Sequence, residues 1–521
     1  MTNQEYDYVI IGSGFGGSVS ALRLSEKGYK VLVIEKGKWF KAEDFPKTNW
    51  NLKKWLWLPK AGFKGFFKMT FLNHVTVLSG VGVGGGSLTY ANTLPVPKEE
   101  FFTSGSWAQL NKWESILKPF YTTAYKMLGA ATNPQLGEAD IVIKEIAKEI
   151  GKEAQFKPTK VAVYFGEAGR TVKDPYFDGK GPDRTGCIHC GACMTGCRFN
   201  AKNTLDKNYL YLAQQLGAKI LAEKEVYDIL PIGKQDGSEG YKIAYKAAFG
   251  SKKKESITTK GVIFSGGVMG TVSLLLKLKQ QSLPKLSDRV GSNVRTNNES
   301  LLLVTSTEKE HKDYSKGLAI GSILHTDKNS HLEPVRYGEG SGFFRMLTVP
   351  TIHNRFAVFR IFGILGLVVK QPIRLLKTLF AKNYSKRTTV LLFMQTLDST
   401  LRIKLGNFTK MKTLTEEGEK PNAFIPEALT LGKKLAKKVK GIPYANFTDA
   451  LLGTPTTAHI LGGAVMGKDN LEGVIDKECN IFGYKNMLVC DGSMISANPG
   501  VNPSLSITAI SEYAMSKIPN K

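Results

Sequence analysis

The most reactive side chains in this sequence are four cysteines that stand close together. Within residues 187–197 stand Cys187, Cys190, Cys193 and Cys197, with the spacing C-x2-C-x2-C-x3-C. The whole chain has only six cysteines. Thiols at this spacing could form disulfides, ligate a metal, or pack as small residues on a helix. The choice between these depends on the compartment and on the elements around the cysteines.

A glycine-rich turn near the N-terminus is also of a type that binds ligands. Residues 6–35 read as a strand, a G-x-G-x-x-G turn formed by Gly12, Gly14 and Gly17, a helix, and a second strand that reaches Glu35. The glycines allow the backbone to approach a pyrophosphate, which the helix N-terminus attracts. Glu35 can accept a hydrogen bond from a ribose hydroxyl. This strand–helix–strand context predicts a dinucleotide-binding site.

Two further stretches suggest ligand contacts. "LSGVGVGGGSLTYAN" contains Gly84, Gly85 and Gly86, whose backbone N–H groups can approach a ligand closely, followed by Ser87. Near the C-terminus, "CDGSMISANPGVNPSLSITAISEYAMSKI" reads as a strand end at Asp491, a loop, and a helix from about Ser504.

Length and composition limit the classes of protein. A chain of 521 residues predicts two domains, and 42% hydrophobic with 22% charged residues indicates a globular protein. The net charge of +26 suits nucleic acid, an anionic membrane or an acidic protein partner. No nucleic-acid-binding motif is present, so nucleic acid is not an expected partner.

The expected compartment is the cytoplasm. The N-terminus lacks the basic region, apolar stretch and cleavage site of a signal peptide. The longest uncharged apolar run, Ile361–Val369, is about half of what a bilayer span needs. Thiols stay reduced in the cytoplasm, which makes disulfides the least expected fate of the four cysteines.

Several of these stretches resemble one enzyme family. "AHILGGAVMG" (Ala458–Gly467), "GYKNMLVCDGSMISANPGVNPSLSITAISE", "AKNTLDKNYL" and "GVIFSGGVMGTVSLLLK" occur together with the N-terminal glycine motifs. In kind and order they are similar to the glucose-methanol-choline (GMC) family of FAD-dependent oxidoreductases, and within it to the cholesterol oxidase branch. The resemblance covers about two thirds of the chain and is weakest over residues 301–450.

The resemblance implies an α/β fold, with a Rossmann-like FAD-binding domain and an interleaved α+β substrate domain. The FAD domain is expected to comprise residues 1–95, 200–300 and 451–521. The substrate domain is expected to comprise residues 96–199, with the four cysteines, and residues 301–450.

The resemblance also implies site residues. His459 and Asn502 fall at the family's catalytic positions, and His459 has a side chain suited to acid–base chemistry at neutral pH. The expected FAD contacts are Gly12, Gly14, Gly17, Glu35, Gly84, Gly85, Gly86, Ser87, Asn92, Val226 and Asp491. Relatives that also isomerise a double bond use a carboxylate in the substrate cavity. This chain has no secure counterpart, and Glu299 is only a weak candidate.

The implied activity is oxidation of the hydroxyl of a steroid or sterol-like lipophilic alcohol to a ketone, with hydride transfer to FAD. The alternatives are a dehydrogenase of a long-chain or terpenoid alcohol that passes electrons through an iron–sulfur centre, and, remotely, a basic flavoprotein that binds nucleic acid. The electron acceptor is either oxygen or a redox protein.

Two segments predict peripheral contact with an anionic membrane, on its cytoplasmic face. Asn49–Phe71 and Arg355–Arg387 mix aromatic and aliphatic residues with Lys and Arg. Such segments can lie in a membrane interface with their cations toward anionic headgroups, while ordinary core packing is the competing interpretation.

A metal centre is the favoured interpretation of the four cysteines. Their spacing is that of the bacterial ferredoxin run, although Arg198 stands where that run has a proline, and the fourth cysteine there ligates another cluster. A single [4Fe–4S] cluster is favoured over a tetrahedral zinc. A cluster could carry electrons from reduced FAD to an external acceptor.

Overall fold

A computed structural model describes residues 5–250, 253–352, 356–406, 411–416 and 420–521. Its first sheet has seven strands. In spatial order they are Lys219–Leu221, Val31–Ile34, Tyr6–Ile11, Lys254–Phe264, Tyr241–Ala247 and Lys224–Pro231, with Met487–Val489 also paired to Lys254–Phe264. The strands up to Lys254–Phe264, and Met487–Val489, run parallel, whereas the last two are antiparallel additions.

The parallel part is a doubly wound unit. The strand Val31–Ile34 is buried along its whole length, as expected for a strand covered on both faces. Helix Phe15–Glu26 returns the chain between the first two strands and packs against helix Ser504–Ser516. This arrangement confirms the predicted Rossmann-like α/β fold.

The second sheet is antiparallel and also has seven strands. Its order is Thr348–Pro350, Gly441–Asn446, Ser300–Ser306, Thr388–Gln395, Ser330–Val335, Ser322–His325 and Phe156–Pro158. Alternate side chains leave a strand on opposite faces. Leu302 and Val304 pack under helices Glu138–Glu149 and Pro426–Lys438, while Leu301 and Leu303 face the other way, toward a large cavity.

Smaller elements connect the two sheets. Short sheets are formed by Phe67–Phe71 with Thr76–Gly80 and Thr456–Thr457, and by Val294–Arg295 with Thr400–Leu405 and Met411–Thr415. Two-stranded pairs are Trp57–Leu58 with Phe63–Lys64, Ala130–Thr132 with Lys160–Ala162, and Thr171–Val172 with Arg184–Thr185. The other helices are Leu52–Trp55, Glu99–Thr103, Trp113–Met127, Tyr209–Gln215, Gly267–Gln280, Ala357–Lys370, Pro372–Leu379 and Tyr384–Arg387.

The predicted domain boundaries stay a prediction. The strands of the first sheet come from the ranges assigned to the FAD domain, and most strands of the second from those assigned to the substrate domain. Helix Trp113–Met127, which lies in the range assigned to the substrate domain, packs on helix Ser504–Ser516 and shares the core of the first sheet.

One of the two segments expected at a membrane surface buries several of its aromatic residues, although Trp50, Leu58 and Phe71 in it are exposed. In Asn49–Phe71, Trp55 is fully buried and stacks on Phe67 with ring centroids 4.4 Å apart. Phe66 and Phe67 belong to the same small core. The expectation of a membrane-facing surface is therefore wrong for these aromatic residues, because packing against one another removes them from solvent. In the parts of the chain that the structure describes, no helix is long and apolar enough to cross a membrane.

Candidate active site

A cavity of about 630 Å³ lies between the two sheets. Of the residues predicted for the site, Gly12, Gly14, Glu35, Gly85, Gly86, Val226, His459, Asp491 and Asn502 line it. Leu301, Leu303, Ile320, Val335, Tyr337, Phe344, Val390 and Leu392 form an apolar wall contributed by the substrate-side sheet and the loops beside it. One end is thus rich in glycine and backbone groups, and the other is hydrophobic.

The three glycines of the N-terminal turn have different surroundings. Gly12 has a φ of +102°, and a Cβ there would stand 2.3 Å from the Ser265 carbonyl oxygen. A Cβ on Gly17 would stand 2.2 Å from the Gly12 oxygen. A Cβ on Gly14 would have only Ser265 within 4 Å among the described residues, at 3.9 Å. Gly12 and Gly17 therefore serve the packing of the turn, whereas Gly14 borders open space at the start of helix Phe15–Glu26.

Glu35 is held at the end of its strand. Its Oε2 accepts hydrogen bonds from the Ser13 backbone N–H at 3.0 Å and the Ser13 hydroxyl at 2.7 Å, and its Oε1 accepts from the Gly37 N–H at 2.8 Å. Burial raises the pKa of the Glu35 carboxyl, although these hydrogen bonds act against that. The side chain is fixed beside the glycine turn, where an acidic residue can meet a ribose.

The second glycine run forms a tight turn over Gly85–Leu88. Gly84 and Gly85 have φ angles of +99° and +52°, in the region that favours glycine. Gly85 and Gly86 line the cavity. Ser87 instead closes the turn, since its hydroxyl donates to the Gly84 oxygen at 2.7 Å and accepts from the Leu205 N–H at 3.1 Å.

Asn92 has a buried amide with no hydrogen-bond partner in the described part of the chain. Its neighbours Ala91 and Thr93 both line the cavity. A buried amide without a partner costs stability unless something outside the chain satisfies it. Asn92 itself does not line the cavity, but its unpartnered amide stands between two residues that do.

Val226 and Asp491 come from distant parts of the chain but from strands of the same sheet. Val226 lies in strand Lys224–Pro231, and its buried side chain lines the cavity. Asp491 follows strand Met487–Val489, where its carboxylate caps the turn at Ser493 and is also bonded by the Thr271 hydroxyl. Burial raises the pKa of the Asp491 carboxyl.

These surroundings fit FAD. The open space at Gly14, the helix N-terminus behind it, the fixed carboxylate of Glu35 and the unpartnered amide of Asn92 supply the types of group that bind a dinucleotide. Gly17, Gly84 and Ser87 support the two turns, and they do not line the cavity themselves.

His459 stands at the boundary between the two sheets. It follows strand Thr456–Thr457, and its Nδ1 lies 3.0 Å from Glu299 Oε2. The other carboxylate oxygen of Glu299 accepts from the Thr457 hydroxyl and from the Ala458 N–H. Because both oxygens are engaged, Glu299 cannot turn away from the imidazole. This fixes a proton on Nδ1 and leaves Nε2 for chemistry.

Asn502 lies next to His459, just before helix Ser504–Ser516. One amide atom of Asn502 lies 3.0 Å from Glu333 Oε1 and 3.3 Å from Oε2. The other amide atom then lies 3.5 Å from His459 Nε2. Glu333, in strand Ser330–Val335, is fully buried behind this amide.

Glu333 is a buried acid that retains its proton. Burial, together with the charge of Glu299, raises the pKa of the Glu333 carboxyl to about 8, although the Asn502 hydrogen bond acts against this. His331, whose Nε2 lies 3.7 Å from Glu333 Oε1, has a pKa well below its ordinary value, again because of burial. Both side chains are therefore neutral at pH 7.

We predict that Glu333→Gln makes stability less dependent on pH. The folded protein keeps the Glu333 proton up to pH about 8, whereas the unfolded chain releases it near 4.5. Stability from this group is thus complete below pH 4.5 and is lost as the pH rises toward 8, by up to about 1.4 kcal/mol per pH unit. The Tm of the wild type should fall more steeply than that of the variant between pH 5 and 8. Parallel pH profiles would contradict the assignment.

Sequence reasoning missed Glu333 and gave Glu299 only as a weak candidate for another role. A detectable signal for Glu333 was a single carboxylate in the otherwise nonacidic strand "SHLEPV". Glu299 lines the cavity, but its partner is His459, which is 160 positions away.

The four cysteines are free thiols in the structure. Among the described residues, no group of three or more His, Cys, Asp or Glu side chains is placed to hold a metal ion. A tetrahedral zinc would bring every sulfur to about 2.3 Å from one centre. This finding supports neither the zinc alternative nor the cluster, and the metal at the four cysteines stays a prediction.

Comparison with known proteins agrees with this site. Two family models described as GMC oxidoreductase match residues 6–295 and 418–511. The chain is 44% identical to a cholesterol oxidase of Acinetobacter baumannii, over 100% of this chain and 96% of that protein. It is 41% identical to a cholesterol oxidase of Mycobacterium tuberculosis, over 99% of this chain and 92% of that one.

A solved structure shares the fold. Pyridoxine 4-oxidase from Mesorbium loti superposes with a TM-score of 0.62 at 14% identity, covering 98% of this chain and 99% of the other. The family models alone cover more than half of the 521 residues. The chain therefore belongs to the GMC oxidoreductase family and is an FAD-dependent oxidoreductase that acts on CH–OH donors.

Proposed function

We propose that this protein oxidises the hydroxyl group of a sterol-like alcohol to a ketone, with His459 as the acid–base group. The observation that carries the proposal is the position of the His459–Glu299 pair, where the glycine-lined end of the cavity meets its apolar wall. A hydroxyl placed there has a base beside it, and the carbon skeleton has a hydrophobic surface to cover.

The proton of the substrate hydroxyl is handled by side chains of this protein. His459 Nε2 takes the hydroxyl proton, and Glu299 stabilises the resulting positive charge through Nδ1–H. The Asn502 amide, held by Glu333, orients the hydroxyl next to Nε2. When FAD is bound, it accepts the hydride that leaves the carbon.

A rigid, apolar alcohol fits the substrate end of the cavity. Leu301, Leu303, Val390 and Leu392 project from neighbouring strands of one sheet and form a continuous hydrophobic surface. The two bacterial relatives are named cholesterol oxidases and align over nearly the whole chain, which supports a sterol and supports oxygen as the electron acceptor.

The test is turnover of matched alcohols with the FAD-loaded enzyme. A 3-hydroxysterol, a long-chain primary alcohol and an acyclic terpenoid alcohol should be compared by kcat/KM in air, with detection of the ketone or aldehyde product. The proposal expects the sterol to be the best substrate. A higher kcat/KM for either flexible alcohol would reject the sterol and support the rival substrate class.

We also propose that helices Ala357–Lys370 and Pro372–Leu379 rest on an anionic membrane. Their large apolar side chains are unusually exposed, with Val369 at 81% and Phe380 at 73%. The other exposed members are Val358, Phe359, Ile361, Phe362, Leu365, Val368, Ile373, Leu376 and Leu379. Monomeric proteins seldom leave an apolar surface of this kind in water. We call this set the apolar helix face.

The positive charges around the apolar helix face indicate that its partner is an anionic membrane. The exposed cations Lys370, Arg374, Lys377 and Lys382 surround it, and the sequence from Phe356 to Arg387 contains no Asp or Glu. Cations next to an exposed apolar surface match the anionic headgroups and acyl boundary of a membrane. Arg355, the first residue of the predicted segment, lies outside the described residues.

The apolar helix face is connected to the substrate cavity. Phe344 lines the cavity, and its neighbour Arg345 donates to the Ala381 carbonyl at 3.1 Å, immediately after the second helix. A lipophilic alcohol leaving a bilayer on this side would reach the protein near the apolar wall.

We predict that Phe362→Asp combined with Val369→Asp lowers binding to anionic vesicles by about tenfold or more, because two apolar side chains lose their burial. Co-sedimentation with phosphatidylserine-containing vesicles measures this, and wild-type binding should also weaken with salt. Leu471→Asp is the matched control, since Leu471 is 72% exposed outside these helices. Wild-type binding by the double variant would exclude this face.

A further inference from the structure

We propose that the loop 187–197 holds an iron–sulfur cluster. Alcohol oxidation at His459 does not use this loop. Its four thiols nevertheless line one small cavity, together with backbone of Gly191 and Gly317. Four free thiols that line the same cavity are placed as metal ligands would be.

The spacing of the cysteines along the chain favours a cluster over an ion. C-x2-C-x2-C-x3-C is the spacing of the bacterial ferredoxin run, and all four residues line one cavity. In a [4Fe–4S] cluster each thiolate ligates a different iron.

Backbone amides point at the sulfurs. The His189 N–H lies 3.4 Å from Cys187 Sγ, and the Lys202 N–H lies 3.5 Å from Cys197 Sγ. His189 has a φ of +52°, which is uncommon for a residue other than glycine. A thiol is a weak acceptor, whereas hydrogen bonds to cluster sulfurs are a main means of setting the reduction potential.

Buried cations stand beside the loop. Lys202 is 1% exposed, and its Nζ donates to the Cys193 carbonyl at 2.9 Å and to the Leu88 carbonyl at 3.1 Å. Arg184, also 1% exposed, donates to the Ala201 carbonyl at 3.0 Å. A cluster with four thiolate ligands carries net negative charge, which the guanidinium of Arg184 offsets.

The loop adjoins the cofactor cavity. Met194, within the loop, lines that cavity, as does Tyr90, whose ring lies 4.7 Å from Lys202 Nζ. A cluster in the loop would thus be separated from the cofactor by about one layer of side chains. A one-electron centre at this place can exchange electrons with the cofactor and with a carrier protein outside.

Oxygen is the acceptor supported above, and with a one-electron carrier protein as a second acceptor the electrons also balance. Oxidation of one CH–OH group to a ketone releases two electrons and two protons. A cluster held by the four cysteines would take one electron at a time, as one iron passes from +3 to +2, and would return it to the carrier, so two cycles would account for both electrons while the protons pass to solvent. This relay rests on the proposed alcohol oxidation, whereas the metal site does not.

The experiment is iron and acid-labile sulfide analysis of full-length protein purified without oxygen, with electron paramagnetic resonance after dithionite reduction. We expect about four iron and four sulfide per chain and the signal of a reduced [4Fe–4S] cluster. Protein that contains FAD but neither iron nor sulfide, also after anaerobic reconstitution, would overturn the proposal. Zinc without sulfide would overturn it as well.

The variant Cys190→Ser should lose iron and keep one FAD per chain, with flavin reduction by the alcohol unchanged. Cys479→Ala is the matched control, because this buried thiol lies outside the loop and the iron should remain. Should Cys190→Ser fail to fold, the wild-type iron and sulfide content alone decides. Flavin reduction by a sterol is measured separately, so failure of the proposed substrate and failure of the cluster are distinguishable.

Discussion

Replacing His459 with alanine should slow reduction of bound FAD by the alcohol by about 10²-fold or more, the usual loss when an acid–base group is removed. The side chain is the group whose Nε2 is free for the hydroxyl proton, because Glu299 holds Nδ1 at 3.0 Å. FAD content should stay at one per chain. Stopped-flow absorbance of the flavin under anaerobic conditions measures the rate.

Two further variants sharpen that result. Glu299→Gln keeps the size of the side chain and removes the charge that stabilises imidazolium, so it should slow flavin reduction and shift its pH profile, while FAD remains bound. His311→Ala is the matched control, since His311 bonds to the Lys312 carbonyl and does not line the cavity. A wild-type rate in His459→Ala would remove His459 from the mechanism.

Replacing Gly14 with valine should abolish FAD binding while the chain still folds. A Cβ at Gly14 would have only the Ser265 carbonyl oxygen within 4 Å among the described residues, at 3.9 Å, so the side chain would enter the space in which the pyrophosphate is expected. FAD per chain after gel filtration, together with far-ultraviolet circular dichroism, measures both parts of the prediction.

The contrast with Gly17→Val tests the reason. A Cβ at Gly17 would stand 2.2 Å from the Gly12 oxygen, so that variant should lose the fold of the turn itself. Gly14→Val that keeps one FAD per chain would show that the cofactor lies elsewhere. A Gly14→Val chain that unfolds like Gly17→Val would show that the glycine is needed for packing alone.

The sequence predicts the N-terminal strand, glycine turn and helix well because their signals are local. The strand, the glycine turn and the helix over residues 6–26 are encoded by adjacent residues, and so is the turn at Gly85–Leu88. The resemblance placed His459 and Asn502, and the structure brings both to one cavity.

The side chains that hold His459 and Asn502 in place come from distant parts of the sequence. Glu299 reaches His459 across 160 positions, and Glu333 meets Asn502 only because an antiparallel strand passes behind it. Composition also cannot distinguish Trp55, which is buried against Phe67, from Val369, which is exposed, since both lie in apolar segments with lysines. Tertiary packing decides such cases.

The most direct test of the account is anaerobic mixing of the FAD-loaded enzyme with one equivalent of a 3-hydroxysterol, unlabelled or carrying deuterium at the carbinol carbon. The account predicts that the flavin absorbance bleaches, that one ketone forms per FAD, and that deuterium slows the bleaching because this carbon loses its hydrogen as hydride. A flavin that stays oxidised with the sterol in excess would contradict the account.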